Sequence, residues 1–470
     1  MSDKIIYPSI DLFLYDLKKG LGQDENKINQ NCQQFCNKIY NDVDKATFQE
    51  KYAQIQKRQS SDADITELLE TKTRDFPPHL DGWYYPLQMS DTYALQVNYS
   101  GERDADHKPN YEPQPLANQP FAQLKQEIEQ RLKHQTGTIG QTWLLWGNLP
   151  ENKSDTEIEN IAKDCYTQIV SNYDWNRDFI GKGSLLEGTI FELWYCPKNQ
   201  GLPVQEFWQK FRKESHHVLI WLFPRHQTPN EMRKQVPSVY HDFLNLFQYR
   251  HKIVWAYYQS RQQKNRLKQE YIEIQPSIEL AKQLPKQSQE NKLKLKELQK
   301  HLTNNLINLS DYTIALNYLE NQIHTIEVNL YNYQSRIAEM AQNYPNSDLQ
   351  FLKTFSDRQI YAKKYQRQVE ADYASFNPGL TLLQNLNNTI QGIIELEQTK
   401  SDRALDNTIA LVGIGLAVSG LTATVAVEYL EKPKDYSAQD LSIFLSPAFL
   451  WSLLVCVPFL IIWFVRFFRR

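Results

Sequence analysis

Five clusters in this 470-residue chain have residue types that could do chemistry. Gly181-Lys182-Gly183-Ser184 and the stretch from Thr136 to Gly140 have the composition of phosphate-cradling loops, in which backbone N–H groups and a lysine face an anion. Neither has the glycine spacing of a P-loop, so both read as turn or loop glycines. Asp104, Asp106 and His107 offer ligands to a hard cation, but they sit beside a connection rich in Pro, Asn and Gln that reads as an exposed polar loop. Cys32 and Cys36 stand one helical turn apart with no second Cys or His pair nearby, and Cys32 falls on an apolar stripe, which favours packing over zinc. His216 and His217 adjoin a buried-type strand, where neighbouring side chains face opposite ways, so the two imidazoles cannot share a ligand site. No HExxH, GxSxG or paired-carboxylate signature is present, so no enzyme is expected and no catalytic residue or cofactor is assigned.

Composition narrows the partners. With 52 Lys and Arg against 55 Asp and Glu, the net charge of −3 argues against bulk nucleic-acid binding. Residues 1–20 mix Asp3, Lys4, Asp11 and Asp16 with apolar residues, so no signal peptide is expected. Five scattered cysteines fit a reducing compartment.

The elements that would hold these clusters read as α+β followed by long helices. Residues 1–80 are expected to be helical, from the spacing Ile10, Phe13, Leu14, Leu17 and then Ile28, Cys32, Phe35, Ile39, Val43. Residues 81–225 form a small α/β domain with a partly parallel sheet. Its strands are the alternating run Tyr93, Leu95, Val97, Tyr99 and the apolar runs 143–146, 190–195 and 218–223; a capping box from Ser154 to Glu157 opens one of its helices. Thr228-Pro229-Asn230-Glu231 is a second capping box, opening residues 226–379: one helix from Tyr240 to Ile274 stopped by Pro276, then an antiparallel coiled coil. Its seam alternates three and four residues from Leu295 through Leu302, Asn305, Tyr312, Leu319, Ile326 and Tyr333 to Met340, about 70 Å at roughly 1.5 Å per residue, with Asn305 either a register-setter or a solvated notch. Asn377-Pro378-Gly379 breaks or kinks the returning helix before a stalk at 380–407, whose seam meets polar residues at Glu397, Lys400 and Asn407, either a hydrated neck or a helix whose seam has rotated away.

The last stretch predicts a transmembrane hairpin. Residues 408–427 and 441–465 each reach the roughly 20 apolar residues a helix needs to cross the hydrocarbon. A loop at 428–440 and a basic tail at 466–470 complete it. Lys and Arg are biased to the side of the stalk and tail, which places both termini in the cytoplasm of a bacterial-type inner membrane. The first span is small and polar along Thr408, Gly415, Ser419, Thr422 and Ala426, a stripe that suits either a water-filled path or close helix packing; the second span is aromatic and suits lipid.

This layout of α/β domain, helical arms, stalk and two spans resembles the CorA-type divalent-cation channels. The family's Gly-Met-Asn is replaced by Ala426-Val427-Glu428-Tyr429, and its Met-Pro-Glu-Leu loop by Glu431-Lys432-Pro433-Lys434, so no family ligand carries over and the metal site is unassigned. The resemblance implies a homo-oligomer in a lipid bilayer, pentameric in that family, with the first spans around its axis. The expected function is therefore an ion channel or transporter with a cytosolic sensor, conducting a divalent or monovalent cation past an outer ring of Glu428 and Glu431. The alternatives are a non-conducting membrane-anchored coiled-coil scaffold or effector, and a tethered enzyme or nucleotide-signal effector with a ligand pocket in 81–225.

Overall fold

In a computed structural model of the protein, which describes residues 3–59, 63–289, 295–357 and 360–399, strand β1 (Lys4–Leu17) runs through the interior of a ten-stranded mixed sheet. Its apolar content explains that place: Ile10, Leu12 and Leu14 belong to the core on one side, while Phe13 and Tyr15 pack on the other, all almost wholly buried. The helical reading of the first residues is thereby corrected. The apparent three-four spacing is the overlap of two buried strand faces, which periodicity alone cannot separate from one helix face.

Along the chain follow α1 (Glu25–Ile39), α2 (Lys45–Arg58), β2 (Ile65–Glu67), β3 (Arg74–Asp75), β4 (Leu80–Met89), β5 (Thr92–Glu102), β6 (Pro113–Pro115), α3 (Pro120–Arg131), β7 (Gly140–Asn148) and α4 (Asp155–Thr167). Then come α5 (Trp175–Asp178), β8 (Phe179–Leu185), β9 (Gly188–Tyr195), α6 (Val204–Glu214), β10 (His216–Phe223) and α7 (Pro229–Gln235). The sheet order is β2-β4-β5-β1-β7-β10-β9-β8, with β3 on β4 and β6 on β1; β7 and β10 are parallel and the other pairs antiparallel. The α/β unit thus begins with β1 rather than at residue 81.

Helices α1, α3 and α4 cover one face. Cys32, Phe35, Cys36 and Ile39 of α1, Phe121, Leu124 and Ile128 of α3, and Ile161 and Cys165 of α4 join β1, β5, β7 and β10 in a single core. Ser154 closes the capping box of α4 with Glu157, as its spacing predicts. Burial pushes the Cys36 thiol up to about 12 and raises that of Cys32, which keeps both protonated as packing groups.

The opposite face takes helix α8 (Tyr240–Gln289). Phe247 meets Phe13 edge-on at 5.2 Å, Phe243 meets Trp221 at 6.1 Å, and the Tyr15 hydroxyl donates to the Leu244 carbonyl at 2.8 Å. Pro276, expected to stop this helix, lies inside it.

Two compact units divide the chain, one from residues up to 259 and 322–367, the other from 260–321 and from 368 on. Helix α9 (Leu295–Asn343) buries Leu298, Asn305, Tyr312, Leu316, Leu319, Ile326, Leu330, Tyr333, Ile337 and Met340 of the three-four seam, while Leu302, Leu309 and Ile323 are half-buried. Helix α10 (Gln350–Asp357) packs on β8, and α11 (Ala362–Thr399) carries Pro378 inside it, so of the break or kink expected at 377–379 the break is not there and the helix continues. In the second unit Leu298 packs with Leu386, Ile390, Ile393 and Ile394. Tyr312 donates to the Phe376 carbonyl at 2.6 Å beside that proline.

The fold class is corrected in one further respect. Among the described residues no helix is long and apolar enough to cross a membrane, because α8, α9 and α11 carry polar and charged residues along their whole length. No described helix supplies the hairpin expected at 408–427 and 441–465 or the two-pass membrane placement drawn from it; both runs lie outside the described residues.

Candidate functional site

A bulge in β1 organises the candidate site. Ile6 pairs with Asn148 and Ser9 with Trp146, so Tyr7 and Pro8 together oppose Gly147 of β7. Pro8 has no N–H to give the ladder, and Tyr7 adopts φ 50°, a left-handed conformation costly for a bulky aromatic. The bulge aims the Tyr7 ring into a cleft of about 240 Å³ formed by β1, β4, β5 and β7 with α7 and the start of α8.

The cleft has a polar knot and aromatic walls. Tyr7 donates to Asp81 Oδ2 at 2.6 Å and accepts from Arg233 Nε at 2.9 Å. Asp81 also meets Arg103 at 3.2 Å and Arg233 at 3.3 Å. Burial, and after it the Asp81 charge, raises the Tyr7 hydroxyl well above its ordinary value, so it stays a donor. Lys234 and Asn230 lie beside Arg233 on α7, whose first turn is fixed by the Thr228 capping box with Glu231. Asn148 holds the preceding loop by donating to the carbonyls of Pro224 and Gln227 at 2.9 and 2.7 Å. Trp83, Trp146 and Tyr240 complete the walls.

Beneath these walls lies Asp11. Its carboxylate accepts from Trp146 Nε1 at 2.7 Å, Gln96 Nε2 at 2.9 Å and the Tyr240 hydroxyl at 3.0 Å. Complete burial pushes its pKa up to about 6, while the donated bonds pull it down. Two aromatic rings of the cleft are thus pinned to one buried acid.

A second polar cluster resembles a catalytic relay and is closed to substrate. Thr142 Oγ1 lies 2.8 Å from His217 Nδ1 and 2.7 Å from His251 Nε2, and His217 Nε2 lies 3.1 Å from Glu192 Oε1. The order hydroxyl, imidazole, carboxylate is that of an activated nucleophile. Thr142, Glu192 and His217 are at most 1 % exposed, so no substrate atom reaches the hydroxyl. Burial holds both histidines neutral and pushes Glu192 up to about 7. His216 points the other way, against the Tyr195 ring, as strand alternation requires.

The remaining sequence candidates do not converge. Gly181-Lys182-Gly183-Ser184 is strand β8 rather than a loop, and the glycines admit α10: a Cβ at Gly183 would stand 2.2 Å from the Asp348 carbonyl oxygen. Asp104 accepts from the backbone of Asp106 and Lys108 in an exposed turn. The Thr136 carbonyl accepts from Lys38, itself paired with Asp16 at 2.6 Å. Among the described residues no group of three or more His, Cys, Asp or Glu is placed to hold a metal ion. Glu397 falls in the last turn of α11; Thr408, Gly415, Ser419, Thr422, Ala426, Glu428, Glu431, Lys400 and Asn407 lie outside the described residues.

No local sequence pattern marks the cleft residues as a set, because they come from six elements spread along the chain. One local signal was present: a proline inside an apolar run, which marks a bulge or edge in a strand. The cleft takes Asp81, Trp83, Asn98 and Trp146 from 81–225, the range in which the effector alternative needs a pocket, and adds Tyr7 before it and Asn230 to Tyr240 after it.

Fold and site together define a mixed-sheet α/β domain with an aromatic, cation-bearing cleft, joined to long helices. The chain matches no protein-family model, no curated protein and no solved structure.

Proposed function

We propose that the protein is a ligand-responsive effector, in which the sheet domain binds a small molecule in the cleft under α7 and the helices that begin at Tyr240 carry the response. The observation that supports this most is Tyr7. A buried aromatic residue held at φ 50° in a bulge, with its hydroxyl between Asp81 and Arg233, is local strain of the kind that persists where surrounding structure enforces a recognition geometry. Tyr240 supplies the link: it is a wall of the cleft, bonds Asp11 and begins α8. Binding and response rather than turnover fit the cleft, whose one carboxylate is occupied by Tyr7 and two arginines and whose Tyr7 hydroxyl is held protonated.

Thermal unfolding of the full chain against a chemically diverse metabolite panel tests this reading, with hydrogen exchange of residues 229–250 as second readout. At least one compound is expected to raise Tm and protect that segment in the wild type but not in Arg233→Met. A panel with no such compound, or the same response in the variant, overturns it.

A further inference from the structure

Resting on the reading of the cleft as a ligand site, the geometry points to its occupant: a small flat anion, a single aromatic ring carrying one carboxylate or phosphate. Size sets the first limit. A cleft of about 240 Å³ lies below the roughly 300–1,000 Å³ of sites for drug-sized ligands, which leaves room for one ring and one charged group but not for a dinucleotide.

The walls set the second. Tyr7, Trp83, Trp146 and Tyr240 offer aromatic surface from four elements, and none closes on another as a parallel stack: Tyr7 and Trp146 meet at 54° and Trp83 and Tyr240 at 64°. A planar ring supplies the face-to-edge contacts such walls favour, whereas an aliphatic chain forgoes them.

Charge decides between an anion and a cation. An aromatic box beside an acid also suits an ammonium group. Here that place is filled by the protein itself, because the Arg233 guanidinium stands 5.6 Å from the Tyr7 ring centroid and Asp81 is bonded by Tyr7, Arg103 and Arg233. Asp81 therefore has little to offer a ligand. Arg233 is held differently: its Nε donates to Tyr7 at 2.9 Å, but its Nη2 contacts to Asp81 are long, 3.3 and 3.4 Å, and a carboxylate or phosphate at the usual 2.7–2.9 Å of a charge-assisted bond competes well for the Nη end of its fork. Lys234, exposed on the same helix, adds a second cation at the mouth. A bound cation would face both.

The test uses ligands of one shape and three charges. Benzoate, phenyl phosphate, benzamide and benzamidinium are titrated calorimetrically into the full chain. The two anions are expected to bind at least tenfold more tightly than the amide and the amidinium. Arg233→Met is expected to weaken anion binding tenfold or more, Arg233→Lys to restore part of it, and Lys234→Met, at an exposed position that cannot affect folding much, to weaken it severalfold. Equal or tighter binding of benzamidinium or benzamide overturns the proposal, as does anion binding indifferent to both Met variants. If none of the four binds while some other metabolite raises Tm in an Arg233-dependent way, the anion class falls and the cleft remains a ligand site; if that response is missing too, both fall.

Discussion

Trp146 donates its indole N–H to Asp11 at 2.7 Å, and the same ring is a wall of the cleft. The cleft is therefore built on a buried carboxylate whose protonation alters the bonds that orient two of its aromatic walls, Trp146 and Tyr240.

That carboxylate should be visible in the pH dependence of stability. Burial raises Asp11 from 3.8 to about 6, so the folded chain binds this proton more tightly than the unfolded chain. Its contribution is fully present below the unfolded value and is lost as pH rises through about 6. Between pH 7.5 and 4.5 the wild type should gain stability relative to Asp11→Asn by about 2 kcal/mol, the part of the shift that falls in this window. Urea denaturation of both proteins across that range measures the difference; parallel curves would show that Asp11 does not titrate in this window.

Tyr7→Phe removes the hydroxyl that donates to Asp81 and accepts from Arg233, while keeping the ring and the bulge. Asp81 would then lose its shortest bond inside a site where it is 6 % exposed. A loss of about 1–3 kcal/mol in urea unfolding is expected, the range for a buried group left short of a partner. A neutral result would mean that water replaces the hydroxyl.

Gly183 tests why the Gly-Lys-Gly-Ser stretch is a strand. An alanine Cβ there would stand 2.2 Å from the Asp348 carbonyl oxygen and 2.5 Å from Phe351 Cδ1. The first neighbour is backbone, tied to β8 by the Ser184 N–H at 3.0 Å, so it cannot move without breaking that contact. Gly183→Ala is expected to cost roughly 1–3 kcal/mol and lower Tm with ligand binding in the cleft unchanged. Weakened ligand binding with unchanged Tm would return the stretch to the list of anion sites.

Legibility in the sequence followed the range of the interactions. The capping boxes at Ser154 and Thr228 sit at helix starts because they are complete within four residues. The strands β5, β7, β9 and β10 showed in alternation or in short apolar runs, and the α9 seam in its heptads. β1 imitates helical spacing because both its faces are buried, and Pro276 and Pro378 carry the local signal of a helix end or kink although α8 and α11 run through them. The cleft was illegible for a different reason: Tyr7, Asp81 and Arg233 are separated by 74 and 152 residues, and only the sheet register and α7 bring them together.

Asn305 gives the last prediction, in the second unit. It occupies a seam position of α9, is 1 % exposed, and among the described residues neither atom of its amide has a hydrogen-bond partner; Asn387 of α11, also buried, is in the same state. A buried amide without partners costs about 1–3 kcal/mol relative to an apolar side chain of similar size. Asn305→Leu should therefore raise the urea midpoint, and Asn387→Leu likewise. If each amide is solitary the two gains add; if the two exchange a bond in solution, the single variants lose stability while the double variant recovers it, the signature of a coupled pair in a double-mutant cycle. The first outcome would remove Asn305 as an intrachain register device. The second would establish it, because a polar residue buried in an apolar seam fixes alignment only when its partner lies opposite.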